Sequence, residues 1–420
     1  MKHVPIAILG GGIAGLGAAL RARELNDKAI IFEAASRSGG LLDNFVIDGF
    51  RFDNAVHLSF ASEPMVRKIF DQTSYFTHPA DSRCFDNGIW LKHPVQNNLF
   101  PLEANKKIKF IKSFLERPDL PEPPNYEGWL ISQYGEELSY SYPIPYTKKY
   151  WDTPPNELSV NWVGNRMRRA ELDEILFGAF TSETPNTYYT KEMRYPKQGG
   201  YKKFIQALID DSEIELNSRA KFVDVLDKQI IFENSSSVHY DNLVSSVPLP
   251  ELISMMNNVP EDVIAASNSL EATSIDLISV GFKKYVDLDL WFYIYDSDIY
   301  ASRAYSPSVK SPDNAPTGCS SLQFEIYQRG RMSKFSPDEL KENVRYAINK
   351  LGIATNEDIT FLHHKRLPWG NVIFDIGMEE KRKIVRDYLV SVGIKTCGRF
   401  GEWDYLWSNQ SFLSGYYSLG

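Results

Sequence analysis

Residues 4–40 read VPIAILGGGIAGLGAALRARELNDKAIIFEAASRSGG. The apolar run Val4, Ile6, Ala7, Ile8 and Leu9 predicts a strand. A glycine turn follows, then a small-residue helix over 13–25 and a second strand over 29–32 that ends on Glu33. Gly10, Gly12 and Gly15 stand at G-x-G-x-x-G spacing. They serve a tight turn, the close approach of a pyrophosphate to bare backbone, and close packing of helix on strand. The helix N-terminus offers unpaired N–H groups to an anion. Glu33 comes about 20 positions after the middle glycine, where a carboxylate takes a ribose hydroxyl. Strand, turn, helix, second strand and acid together predict a dinucleotide-binding α/β domain of Rossmann type.

Residues 33–42, EAASRSGGLL, extend the motif. The pair Gly39-Gly40, followed by Leu41, lets a second backbone segment come close to the ligand. This extension resembles flavoprotein oxidases of the amine oxidase and protoporphyrinogen oxidase group. The resemblance implies FAD rather than NAD, with the acid on the adenosine ribose and the Gly-Gly turn along the ribityl and flavin.

The chain has 420 residues, enough for two or three domains, with 43% hydrophobic and 24% charged residues, as in an ordinary globular enzyme. A formal charge of −8 argues against a nucleic-acid partner. Cys84, Cys319 and Cys397 are far apart, which supports neither a disulfide framework nor a metal site. No run approaches the roughly 18 apolar residues of a membrane span, and the N-terminus runs straight into the strand that begins at Val4 without the charged and apolar regions of a signal peptide, so a cytoplasmic protein is expected.

Further along, residues 45–53 predict a hairpin turning at Asp48-Gly49. The segment DNAVHLSF, 53–60, resembles the D-x-G-G-H-x-x-F segment beside the flavin ring in the UDP-galactopyranose mutase family. His57 and Phe60 match, while Ala55 and Val56 replace the glycine pair. The resemblance marks His57 as a catalytic candidate; the plain alternative is a satisfied core histidine. Residues 83–100, RCFDNGIWLKHPVQNNLF, predict a hairpin at Asn87-Gly88 and then resemble the family run Y-P-F-Q-N-N. Arg83, Pro94, Gln96, Asn97 and Asn98 match, and His93 and Val95 replace aromatics. Arg83 and Gln96 are thereby implied in the substrate pocket.

Short helices are expected over 63–73, 105–116, 126–138, 155–172, 200–210 and 336–351, with a proline-rich loop at 117–125. Residues 146–166, YTKKYWDTPPNELSVNWVGNR, resemble the mutase segment K-x-W followed by W-x-G-x-R, through Lys149, Trp151, Trp162, Gly164 and Arg166. Thr147 replaces an asparagine. An arginine fork binds a diphosphate bidentately, and the resemblance gives that role to Arg166, with Trp151 and Asn186 in the substrate site. The plain alternative is a solvated cluster with Arg168 and Arg169. Residues 213–247 alternate as strands, with Val223 implied as a backbone contact to the adenine region. Further strands are expected at 275–284, 291–295 and 320–327. Between them YASRAYSPSVKSP, 300–312, resembles the segment of the second diphosphate arginine: Arg303 matches, and Lys310, in place of a tyrosine to the diphosphate, is implied in the substrate site with a hydrogen-bond donor and a charge. Asn371 replaces another tyrosine. Residues 397–415, CGRFGEWDYLWSNQSFLSG, resemble the family's ending G-R-F-G-x-W-x-Y-x-x-x-N-Q. By that resemblance Gly398, Arg399, Ser411 and Phe412 hold the flavin, and Tyr405 and Asn409 reach the substrate.

The expected fold is α/β: a Rossmann-type FAD-binding domain with a helical insertion and a second, antiparallel sheet. The expected parts are 1–99, 193–250 and 363–420 for the FAD domain, 100–192 for the insertion and 251–362 for the substrate sheet. The resemblance implies an isomerase that interconverts pyranose and furanose forms of a nucleotide-diphosphate sugar, UDP-linked in the family. In that family reduced FAD attacks the anomeric carbon through N5, and the resemblance implies that Arg166 and Arg303 hold the departing diphosphate. The absence of a Ser-His-Asp or Cys-His arrangement agrees with chemistry carried by a cofactor. The runner-up is a net oxidoreductase of the same fold, an amine or sugar oxidase or a desaturase; a binding or scaffold protein stands third.

Overall fold

The computed structural model of the chain describes residues 2–164, 167, 171–186 and 192–420. Two seven-stranded sheets organise them. In the first, strand Lys2–Leu9 lies between Ala29–Phe32 and Ser237–Ser245 and is parallel to both. Ile214–Glu215 extends one side. Gln229–Phe232, Ala220–Asp224 and the short strand Ile394–Thr396 complete the other. Ala7, Ile8, Ile30 and Ile31 are fully buried, as a parallel sheet covered on both faces requires.

Helix Ile13–Glu24 covers this sheet and packs on helix Ser408–Tyr417. The two backbones touch: a Cβ added to Gly415 would run into the Ala14 carbonyl, and one added to Gly17 into the Phe412 carbonyl.

The second sheet runs Ile359–Leu367, Thr273–Phe282, Ser320–Arg329, Arg303–Tyr305, Trp291–Ile294, Arg83–Asp86, Ile89–Lys92. Both expected hairpin turns form, with Asp48-Gly49 and Asn87-Gly88 at positive φ in each residue. The Asn87-Gly88 hairpin joins the second sheet through a parallel pairing of Arg83–Asp86 with Trp291–Ile294, rather than staying with the first domain. Strand Ile359–Leu367 also crosses the expected boundary between residues 362 and 363.

Helices Ala104–Leu115, Tyr126–Tyr134, Glu136–Ser141, Pro143–Trp151 and Leu172–Phe180 form the insertion. The helix expected over 155–172 is absent from the described part of that range. Pro154 and Pro155 limit the chain there to a 3₁₀ turn, and Leu158 bridges Asp375 in strand fashion. The helix falls earlier instead, with Pro143 in its first turn and Asp152, φ +46°, ending it. Among the described residues, no helix is long and apolar enough to cross a membrane, and no group of three or more His, Cys, Asp or Glu residues is placed to hold a metal.

Candidate active site

The glycine turn after Lys2–Leu9 opens into a cavity of about 650 Å³. Gly10 has φ +102°, and a Cβ on it would strike the Ser246 hydroxyl. A Cβ on Gly15 would strike the Gly10 carbonyl, so Gly15 works through packing and does not line the cavity. Gly39 N–H donates to the Gly11 carbonyl at 2.8 Å, and a Cβ on Gly40 would sit 3.2 Å from Gly12 Cα. Two bare backbone segments therefore meet where a pyrophosphate needs access. No side chain caps the first turn of helix Ile13–Glu24, which leaves its N–H groups to an anion. Glu33 accepts from Gly11 N–H at 2.6 Å and from Ala35 N–H at 2.8 Å. Each oxygen keeps a lone pair for a ribose hydroxyl. The donor set and the side-chain-free cradle fit a dinucleotide.

Beside Glu33 the wall is Ser218, Arg219 and Ala220; Ser218 N–H donates to the Glu33 carbonyl at 2.8 Å. Val223, expected there, is fully buried outside the cavity lining, and its N–H is spent on the Met255 carbonyl at 2.8 Å. The strand's register shifts between Ala220 and Phe222, so Val223 stands past a bulge from Ser218, Arg219 and Ala220, which line the cavity. Leu41, Gly398, Arg399, Asn409 and Ser411 line the cavity. Arg399 donates Nε and Nη2 to the Leu406 carbonyl at 2.9 and 2.7 Å, which fixes its plane. Phe412 is instead fully buried outside the cavity lining, its carbonyl against Gly17.

The 53–60 segment lines the same cavity with Ala55, Val56, His57, Leu58 and Phe60. Ala55 adopts φ +74°, the left-handed conformation that glycine favours. His57 Nδ1 lies 2.9 Å from the Ala55 carbonyl, and its ring is 5.2 Å from that of Tyr201. Burial lowers its pKa to about 4, so the imidazole is neutral at neutral pH.

A second cavity, of about 240 Å³, lies among the insertion helices and the second sheet. Gln96, Trp151, Trp162 and a group of tyrosines line it, and Tyr150, Tyr293, Arg303, Tyr405 and Trp407 line both cavities. The two spaces meet at these five residues. Tyr150 and Tyr405 share a hydroxyl–hydroxyl hydrogen bond of 3.0 Å. Arg303 bonds the Glu325 carboxylate through Nε and the Tyr327 hydroxyl through Nη2, the latter at 2.8 Å.

Other expected residues lie elsewhere. Arg83 is on the surface, 2.7 Å from Asp289 and stacked over Trp90. Lys310 is fully buried 3.4 Å from Asp53 and lines neither cavity, because strand Arg303–Tyr305 turns its following residues into the protein between Tyr195 and Tyr305. Asn186 is exposed and outside both cavity linings. Asn409 does line the larger cavity, and there it donates to Glu63 at 2.8 Å. Arg166 lies outside the described residues. Sequence reasoning missed Glu325, although its strand alternates polar and apolar residues with the polar ones facing Arg303.

His93, in the second cavity, also has its pKa lowered to about 4 by burial. The unfolded chain binds these protons near pH 6.5, the folded protein only near 4. Stability contributed by neutral His57 and His93 is therefore complete above about pH 6.5 and is lost as pH falls toward 4. Urea midpoints measured between these limits should decline with acidity, and His93→Phe should flatten the decline. An unchanged slope would show that His93 is not desolvated in the native protein.

Residues 8–73 match the family model of an NAD(P)-binding Rossmann-like domain. Among solved structures, a reduced UDP-galactopyranose mutase superposes with a TM-score of 0.93 at 25% identity, over 99% of this chain and 93% of that one. A protein assigned as a protoporphyrinogen oxidase from Exiguobacterium sp. 255-15 gives 0.76 at 18% identity, over 99% and 98%. Putrescine oxidase bound to putrescine gives 0.68 at 14%, over 99% and 97%. The last two share the fold.

Proposed function

We propose that this chain, by fold a UDP-galactopyranose mutase-like member of the FAD-dependent amine oxidase and protoporphyrinogen oxidase superfamily, binds FAD in the larger cavity. There it isomerises a nucleotide-diphosphate sugar between pyranose and furanose forms. The observation that carries this reading is the junction of the two cavities at Arg303. A flat base suits the aromatic walls of the smaller cavity, which leaves the diphosphate at Arg303 and the sugar toward the larger one. Reduced FAD, when bound, supplies a nucleophile for the anomeric carbon.

The chain's own residues bind, orient and neutralise. Arg303 offers charge to a leaving diphosphate and keeps it close for return. Tyr150 and Tyr405 can each exchange their mutual hydrogen bond for one to a phosphate oxygen. Arg166 is proposed as the second anchor, and His57 as a neutral wall of the sugar site. Cys84 and Cys397 are buried with their thiol pKa values pushed up, Cys397 to about 12, so neither is poised as a nucleophile.

The test is redox stoichiometry. Protein reduced with dithionite and given UDP-galactopyranose should form the furanose isomer with no net consumption of reductant or oxygen. Steady oxygen uptake tied to substrate turnover would place the chain with the oxidases that share its fold.

A further inference from the structure

Strand Ser320–Arg329 has two unlike faces. Leu322, Phe324 and Ile326 enter the core under helix Pro337–Lys350. Gln323, Glu325 and Tyr327 face the other way and are equally buried. Glu325 thus puts a carboxylate with no solvent exposure behind the wall where the two cavities join. Its Oε1 accepts from Val56 N–H at 2.6 Å. Its Oε2 accepts from the Tyr327 hydroxyl at 2.7 Å and from Arg303 Nε, whose residue stands directly opposite in the cross-strand register. Nη2 of Arg303 is held by Tyr327, and among the described residues no acceptor takes a hydrogen from Nη1.

Val56 N–H is the first peptide group after Ala55, which keeps φ +74° without being glycine. An L-residue stays in that region only where its surroundings hold it there. The Glu325 hydrogen bond is such a constraint, at the point where the segment lines the larger cavity.

We propose that Glu325 is a positioning residue with two separable duties. It holds the 53–60 turn in its left-handed form at Ala55, and it turns Arg303 so that Nη1 is presented to the ligand. The inference rests on the reading given above, with flavin in the larger cavity and a diphosphate at the junction.

The sign of one measurement separates positioning from simple charge neutralisation. A carboxylate that only cancelled Arg303 would, once amidated, strengthen binding of an anion. A carboxylate that orients Arg303 would weaken it, since an amide nitrogen cannot accept from Nε. In the flavin-loaded protein, Glu325→Gln should raise the UDP dissociation constant about tenfold, the loss of one charge-assisted contact. The flavin's visible circular dichroism should persist, because the amide oxygen can still take Val56 N–H. Glu325→Ala should alter both. Adding Ala55→Gly to it should restore the dichroism, since glycine needs no clamp at positive φ, and leave UDP binding weak.

UDP binding by Glu325→Gln that equals or exceeds that of the unmodified protein overturns the proposal. So does a double variant whose dichroism stays that of Glu325→Ala. If the unmodified protein holds flavin but binds no UDP, the nucleotide-sugar reading fails. The dichroism then decides alone: rescue by Ala55→Gly upholds the clamp on the turn and its absence refutes it. If Glu325→Ala does not fold, Glu325→Gln decides through UDP.

Discussion

Arg303→Ala should cost the folded protein about 3–5 kcal/mol, because it leaves the fully buried Glu325 carboxylate without its cation. Denaturant unfolding of purified apoprotein would measure this. Replacing both residues, as in Arg303→Met/Glu325→Leu, should cost much less, since apolar groups of similar volume are tolerated where a half-pair is not. Arg303→Ala should also lose most of its affinity for UDP while staying yellow, because Arg303 stands at the junction and not in the glycine cradle. A loss of stability under about 1 kcal/mol, the range of solvent-screened pairs, would mean that water reaches the pair. A colourless protein would mean that Arg303 belongs to the cofactor's half of the site.

Gly415→Ala should be nearly as damaging. Its new methyl group would meet the Ala14 carbonyl, which belongs to a helix backbone and cannot turn aside. Overpacking of this kind costs about 1–3 kcal/mol, and here the strain has one way out: helix Ile13–Glu24 must lift from Ser408–Tyr417. That helix begins at the glycine turn, so the displacement should also loosen flavin retention. Gly377→Ala is the control, because its Cβ would meet nothing nearer than 3.5 Å and its φ of −100° suits alanine. Melting temperature and flavin content of the two variants should diverge sharply; equal values would show that the helices have room to spare.

Local signals were reliable in the sequence. The glycine spacing and Glu33 announced the cradle, and Asp48-Gly49 and Asn87-Gly88 announced turns whose positive φ values those residues favour. Signals that depend on a distant partner were not. Glycine 164 and Trp162 sit in a stretch with helical composition, yet Pro154-Pro155 and the bridge from Leu158 to Asp375 decide its path. Lys310 resembles a ligand-binding cation by position, but Asp53, some 250 residues away in sequence, accepts it in the interior. Val223 lies outside the cavity lining, past a bulge that no periodicity records. Glu325 was legible only once Arg303 was known to lie across from it.

The pairing of Lys2–Leu9 with Ser237–Ser245, and of that strand with Ile394–Thr396, carries a consequence for synthesis. Well over two hundred residues separate the opening strand from its longest partner. At about 5–20 residues per second on the ribosome, the strand's apolar edge stands open for roughly 10–50 s. A nascent chain built this way should lean on chaperones that shield β edges, and its yield should follow their abundance more closely than its final stability.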